Sequence, residues 1–196
     1  MDQWTRFGIF SVFAVVVMTA LFSSGNAMLP EKRVFVTNNT YLPNLGGLRG
    51  ADILCNQTAA NANLGGNWMA WLSVKLLSNT TNNTIINVKD RVIDAKYVRL
   101  DGRKIADNKT DLLDGTIDNA INVTEFGTYI STFPYYIPGV YTGTNETGMA
   151  TGADCTGWTN TTDGGTYGSQ VKTNKEWTNI GVNYCSAPRR LYCFEK

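Results

Sequence analysis

The sequence contains no histidine among its 196 residues. Catalysis by a serine or cysteine nucleophile with a histidine base is therefore excluded, because no residue can act as that base. A structural zinc site is not expected either, since the cysteines form no Cys-x-x-Cys pair that histidine could complete. No glycine-rich phosphate-binding motif precedes a helix. We therefore expect neither a metal nor another cofactor.

Clustered positive charge is also missing. The chain has 17 Lys and Arg against 16 Asp and Glu, which leaves a net charge of +1. The longest basic runs are the pairs Lys32-Arg33 and Arg189-Arg190. Because nucleic acids and heparin bind to clustered basic residues, we expect neither of them as a partner.

A long apolar run is present near the N-terminus. Phe7 to Phe22 follows Arg6 and precedes the small residues Gly25 and Ala27. This arrangement predicts a signal peptide over residues 1–27, cleaved after Ala27. The alternative is an uncleaved helix that holds the protein in a membrane through residues 7–22. In either case the protein is expected to be extracytoplasmic, as a secreted or cell-surface protein.

The rest of the chain is expected to form a short connector over residues 28–33 and a domain over residues 34–196. Its four cysteines are Cys55, Cys155, Cys185 and Cys193. An even number of cysteines behind an export signal predicts two disulfide bonds. Four cysteines allow three pairings, and spacing alone does not choose among them.

Sequons of the form Asn-x-Ser/Thr are frequent, which makes the protein a candidate glycoprotein. Asn56 is expected on the solvent face of a helix, where a glycan could be accommodated. The candidate sites are Asn38, Asn56, Asn79, Asn82, Asn108, Asn122, Asn145 and Asn160.

The stretch from Leu45 to Ser73 contains the clearest secondary-structure pattern. It predicts an amphipathic helix that ends at Gly65-Gly66 and a buried strand over Trp68–Leu72. The buried helix face comprises Ala51, Leu54, Cys55, Thr58, Ala59 and Ala62, and the solvent face Asp52, Asn56, Gln57, Asn61 and Asn63.

Three further strand predictions follow from the pattern. Residues 97–106 predict a hairpin in which Asp101-Gly102 forms a two-residue turn. Cys155 to Thr159 predicts a strand with Trp158 directed inward. The C-terminal residues predict a last strand with Leu191, Cys193 and Glu195 on one face and Tyr192 and Phe194 on the other.

Several of these segments resemble a bacterial and archaeal domain family known as DUF1554. That family is similar to the endostatin domain of collagens XV and XVIII, and through it to C-type lectin-like domains. The resemblance covers nearly all of residues 34–196, and the matching segments are residues 48–55, 68–73, 100–102, 113–117, 140–144, 155–159 and 190–195. It implies an α+β fold, mainly antiparallel, with one main helix and long loops. It also implies nested disulfides, Cys55–Cys193 and Cys155–Cys185.

The ligand sites of those relatives do not carry over to this chain. The zinc-binding histidines and the heparin-binding arginine cluster of endostatin have no counterpart here. Calcium-binding lectins use a Glu-Pro-Asn or Gln-Pro-Asp loop, which is missing, and Trp177-Thr178-Asn179 lacks the acidic ligand of their Trp-Asn-Asp strand. We therefore interpret Trp177 as a core residue and expect no bound metal.

The function indicated by these features is an exported binding or adhesion module that recognises a glycan or a surface protein without calcium. Exposed aromatic residues stack on sugars and anchor interfaces, so the candidate ligand-binding residues are Tyr135, Tyr136, Tyr141 and Trp158. For Tyr141 and Trp158 a place in the core is the favoured interpretation. Tyr135 and Tyr136, between Pro134 and Pro138, are the better candidates for exposure.

Two alternatives remain open. The protein could be a structural envelope component that self-assembles and is held by an uncleaved N-terminal helix. More distantly, it could be a hydrolase that uses carboxylates from the acidic stretch, namely Asp111, Asp114, Asp118 and Glu125. Because Asp is common in loops, where its carboxylate caps turns, a structural role for these residues is favoured over an enzymatic one.

Overall fold

The computed structural model describes residues 28–76, 84–130 and 139–196. The apolar run Phe7–Phe22, the sequons Asn79 and Asn82, and the tyrosines Tyr135 and Tyr136 lie outside these residues. The strands are β1 (Glu31–Val36), β2 (Trp68–Ala70), β3 (Val74–Leu76), β4 (Thr84–Ile86), β5 (Lys96–Arg99), β6 (Lys104–Ala106), β7 (Val140–Tyr141), β8 (Gly164–Gly168), β9 (Gly181–Tyr184) and β10 (Tyr192–Glu195). The right-handed α-helices are α1 (Gly47–Asn61) and α2 (Lys109–Leu112), and the segment α3 (Cys155–Trp158) is a single left-handed turn. This combination confirms the predicted α+β class.

A five-stranded sheet in the order β2-β10-β1-β5-β6 forms the centre of the described fold. β10 runs antiparallel to both β1 and β2, whereas β1 and β5 are parallel. β1 begins at Glu31, which pairs with Lys96, so the sheet takes in residues 31–33 of the expected connector. Because β1 pairs with β10, the first and last strands of the described chain lie side by side.

Both faces of this sheet are buried. Along β10, Tyr192 and Phe194 pack into one hydrophobic cluster and Cys193 into a second cluster on the opposite face, as the alternation predicts. In the first cluster the Trp71 ring lies between the rings of Trp177 and Phe194, with both centroid distances at 4.8 Å. Trp177 is 0% exposed, which confirms its interpretation as a core residue.

Helix α1 covers the second cluster through its small residues. Ala51, Cys55 and Ala59 recur every fourth position and are buried, so they form one stripe facing the sheet. The helix ends earlier than the double glycine predicts, because Asn63 already has a left-handed backbone (φ 56°). Leu64 N donates to Ala59 O at 3.0 Å and Asn63 N to Ala60 O at 3.0 Å, the Schellman arrangement that closes a helix.

The polar face of α1 does not face solvent throughout, contrary to the prediction. β2 is an edge strand, and the helix supplies the hydrogen bonds that a neighbouring strand would make. Trp68 N donates to Asn56 Oδ1 at 2.9 Å, Asn56 Nδ2 donates to Trp68 O at 2.7 Å, and Ala70 N donates to Asp52 Oδ1 at 2.9 Å. Arg91 adds donors to Ala70 O and Leu72 O and an ion pair to Asp52 at 2.6 Å. We call Asp52, Asn56 and Arg91 the edge cap.

Two disulfide bonds join Cys55 to Cys193 and Cys155 to Cys185. These are the nested pairs that the resemblance implies. The first links α1 to β10 across 138 residues of sequence, and the second spans 30 residues. Paired cysteines are consistent with an oxidising environment.

The β5–β6 hairpin is present, but its turn differs from the prediction. Gly102 has the positive φ (81°) and donates its N–H to Arg99 O at 2.9 Å, while Arg99 N donates to Arg103 O at 2.8 Å. The loop therefore comprises Leu100, Asp101 and Gly102, a three-residue connection rather than the expected two-residue turn.

A second sheet, β7-β8-β9, is antiparallel, and β3 and β4 pair as a two-stranded antiparallel hairpin. Segment 155–159 lies against the β7-β8-β9 sheet and was predicted to be a strand. That prediction is wrong, because residues Cys155, Thr156, Gly157 and Trp158 have φ values from 51° to 67° and form a left-handed turn. Among the helices of the described ranges, none has the length and apolarity needed to cross a membrane.

Candidate functional site

A surface groove of about 370 Å³ lies on the β8–β9 hairpin. Its lining combines apolar, aromatic and polar groups, a composition typical of ligand-binding sites, which usually measure from about 300 Å³ upward. The residues that line it are Thr162, Asp163, Gly164, Val182, Asn183 and Tyr184.

The groove exists because of a glycine on β8. In the antiparallel register Gly164 pairs with Tyr184 and Thr166 with Val182. A Cβ added at Gly164 would lie 2.9 Å from Val182 Cγ1, so any side chain there would enter the space beside the two β9 residues. Gly164 thus leaves a gap in the side-chain layer of the hairpin.

The apolar side of the groove is unusually exposed. Ile180, Val182 and Tyr184 have exposed fractions of 45%, 61% and 76%. Val182 and Tyr184 point to the same face of β9, because alternate residues of a strand do so, and Ile180 directly precedes this strand. Apolar side chains left in water in a contiguous row are typical of surfaces that bind a ligand.

The polar side of the groove carries one acid and one amide. Asp163 Oδ1 accepts from Gly164 N at 2.8 Å, and Asp163 Oδ2 lies 3.4 Å from the Thr156 hydroxyl. Asn183 Oδ1 accepts from Tyr184 N at 2.7 Å, and its Nδ2 group, a donor, has no acceptor among the described residues. The N–H and the hydroxyl of Thr162 both donate to Asn160 Oδ1, which fixes the position of Thr162.

The left-handed turn at residues 155–158 supports the groove from below. Each non-glycine residue in that conformation costs roughly 1–2 kcal/mol, so the turn must be held by its surroundings. Asp154 accepts from Gly157 N at 2.9 Å and from Lys75 N at 2.6 Å, and the Cys155–Cys185 disulfide connects the turn to the residue after Tyr184. Cys185 N also donates to Asp163 O at 2.7 Å. The groove is therefore built on a fixed frame.

Two of the predicted ligand-binding aromatics belong to this frame and not to the surface. Tyr141 and Trp158 are both 0% exposed, with ring centroids 5.5 Å apart. Tyr141 donates its hydroxyl to Ala187 O at 2.6 Å, and Trp158 donates Nε1 to Ser73 O at 2.9 Å. Neither ring is exposed for stacking on a ligand, and the favoured interpretation of both as core residues is confirmed.

The described sequons fall into two groups. Asn56, Asn108 and Asn122 use their side chains inside the fold: Asn56 in the edge cap, Asn108 as the N-cap of α2, and Asn122 as an acceptor for Arg99 at 2.5 Å. A glycan on Asn56 Nδ2 would displace its bonds to Asp52 O and Trp68 O. Asn145 and Asn160 cap local turns through Oδ1, and the exposed Asn38 is held by its backbone N–H, which donates to Glu125 at 2.8 Å.

The four carboxylates considered for hydrolysis are engaged separately. Asp111 accepts from Asp107 N, Asp114 caps its own turn with Thr116, and Asp118 pairs with Lys104. Glu125 is 4% exposed, and burial raises its pKa above the ordinary range. Among the described residues, no group of three or more Cys, Asp or Glu could hold a metal ion.

The residues of the groove were missed by the sequence analysis, which predicted neither strand of the β8–β9 hairpin. A signal was present: Val182 and Tyr184 alternate with Gly181 and Asn183, and the glycine-rich run at Gly164-Gly165 offers a partner strand. The run is too short for that alternation to stand out.

In comparisons with known proteins, the sequence matches no family model and no curated protein.

Proposed function

We propose that the protein is an exported binding module that holds a glycan or protein ligand in the groove beside Tyr184, without calcium. The observation that carries this proposal is the row of exposed apolar side chains on β9, with Tyr184 76% exposed next to Asp163 and Asn183. An aromatic ring with a polar rim gives both contact area and directional hydrogen bonds. The surrounding disulfide and the left-handed turn keep the site in one shape, which lowers the ordering cost of binding.

The endostatin-like, C-type lectin-like fold and export to the cell surface are parts of the same proposal. Support comes from the main helix before β2, the pairing of β10 with β1, and the nested disulfides. The signal peptide over residues 1–27 remains a prediction that mass spectrometry of the native protein checks, since cleavage leaves Met28 as the first residue.

The test is binding of the purified full chain to a glycan array and to a panel of cell-surface proteins. Tyr184→Ala should weaken binding at least about tenfold, which corresponds to roughly 1.4 kcal/mol. Phe126→Ala is the matched control, because Phe126 is 60% exposed in a turn and is not among the described residues that line the groove. Ligand binding that both variants retain in full would contradict the proposed site.

The alternative, a self-assembling envelope component, is favoured by a different surface. Leu76, Ile85 and Ile86 on the β3–β4 hairpin are 40%, 51% and 39% exposed. Exposed apolar strands are sites at which copies of a chain can associate. Sedimentation velocity distinguishes the two functions: oligomers that dissociate in Ile85→Lys but persist in Tyr184→Ala would support assembly.

A further inference from the structure

The groove carries a negative charge without a counter-charge. Of the described residues that line it, Asp163 is the only charged one. Asp163 takes part in none of the ion pairs found in the described ranges of the chain. Its carboxylate accepts one short hydrogen bond, from Gly164 N, and a longer one from the Thr156 hydroxyl. A carboxylate has about four acceptor sites, so Asp163 retains capacity for a donor from a ligand.

The neighbouring Tyr184 ring also favours a positively charged ligand. Tyr184 presents its ring to solvent, and the face of an aromatic ring attracts cations within about 6 Å. Val182 adds methyl groups on the same face of β9. A ligand with an apolar ring face and a positively charged donor therefore matches both halves of the groove, whereas an anionic ligand would face Asp163.

The strand edge at this position is not open to a peptide backbone. Tyr184 N already donates to Asn183 Oδ1 at 2.7 Å, and Tyr184 O already accepts from Ala187 N at 3.4 Å. An extended peptide could not pair with β9 beside Tyr184 without displacing both contacts. The shape thus favours a compact ring over an extended chain, and the volume of about 370 Å³ suits one or two sugar rings.

We infer that the groove binds a glycan containing a hexosamine with a free amino group. This inference rests on the proposed function and names its ligand class. The sugar ring lies over Tyr184, its ammonium group donates to Asp163, and its hydroxyls accept from Asn183 Nδ2. The ammonium–carboxylate bond is charge-assisted and therefore stronger than a bond between neutral groups.

The experiment is isothermal titration of the full chain with three probes at mildly acidic pH, where the amine is protonated. The probes are a glucosamine tetrasaccharide, its fully N-acetylated counterpart, and Nα-acetyl-lysine amide. We expect the glucosamine tetrasaccharide to bind at least about tenfold more tightly than the N-acetylated one. Asp163→Asn, which keeps the acceptor for Gly164 N, should reduce that preference to about one, and Tyr184→Ala should weaken both saccharides.

The outcomes separate this inference from the proposed function. Equal binding of the two saccharides, lost in Tyr184→Ala, overturns the amino-sugar inference and leaves the binding groove supported. Binding of the lysine probe alone, dependent on Asp163, also overturns it and indicates a protein ligand. If no probe binds, and the array and protein panel also show no ligand dependent on Tyr184, both proposals fail. Thermal unfolding of each variant checks that the fold is retained.

Discussion

The edge cap on β2 leads to a quantitative prediction for Asn56→Ala. Trp68 is 1% exposed, and its backbone N–H and C=O have Asn56 as their partner on the side away from β10. Each buried polar group left without a partner costs roughly 1–3 kcal/mol. Alanine regains about 0.5 kcal/mol of helix propensity. Two such groups together cost about 2–6 kcal/mol, so after the gain in helix propensity we expect the free energy of unfolding to fall by about 1.5–5.5 kcal/mol, a large part of the roughly 5–15 kcal/mol typical of domains.

The matched control is Asn61→Ala on the same helix, where the side chain is exposed. It makes the same chemical change without uncovering a backbone group, so its unfolding free energy should change by about 0.5 kcal/mol or less. Urea unfolding with the disulfides intact measures both variants. If the two variants prove equally stable, Asn56 is not the partner of β2 that the geometry indicates. Asn56→Asp should lie between them, because it keeps the acceptor for Trp68 N and loses the donor to Trp68 O.

Further predictions concern the disulfides, an ion pair and the groove. Removing Cys55–Cys193 by paired alanine substitutions should lower the unfolding free energy by about 5 kcal/mol and removing Cys155–Cys185 by about 3.6 kcal/mol in the chain-entropy model, as urea unfolding would reveal. The second removal should also weaken ligand binding. The hydrogen bond from Arg33 lowers the pKa of Glu195 in the folded state below its value in the unfolded state. Stability is therefore lost as the pH falls toward the folded pKa. In Glu195→Gln, the urea midpoint should depend less steeply on pH on the acid side. Gly164→Val should fill the groove and reduce binding, and it should also lower the melting temperature, because the added Cβ would lie 2.9 Å from Val182 Cγ1 and force Val182 to shift.

The parts of the fold that could be predicted from sequence are those with a local period. The buried stripe Ala51–Cys55–Ala59 repeats at helical spacing, and β10 alternates between two cores. Both patterns reflect burial on a regular element, so they are visible without knowledge of its neighbours. The disulfide pairs did not follow from spacing and came only from the resemblance, because pairing depends on distance in space.

The mistakes arise where a distant partner decides the conformation. Helical periodicity placed Asn56 on a polar face, but it cannot distinguish a face in water from one that meets a sheet edge. Cys155 and Thr156 adopt a left-handed backbone that non-glycine residues disfavour. They keep it because hydrogen bonds to Asp154 and the Cys155–Cys185 disulfide hold the turn. At the site, aromatic content identified Tyr141 and Trp158, whereas exposure, which only the folded chain defines, identifies Tyr184.

The edge cap also limits how copies of this protein can meet. On the opposite side of the central sheet, the backbone of β6 is covered in a similar way, since Asp118 N donates to Ile105 O and Asn119 Nδ2 donates to Lys104 O. The sheet is therefore finite: its two outer strands already have partners from their own chain. A second molecule therefore cannot extend the central sheet strand by strand, so an ordered array of this protein would have to form through other surfaces, such as the exposed β3–β4 hairpin.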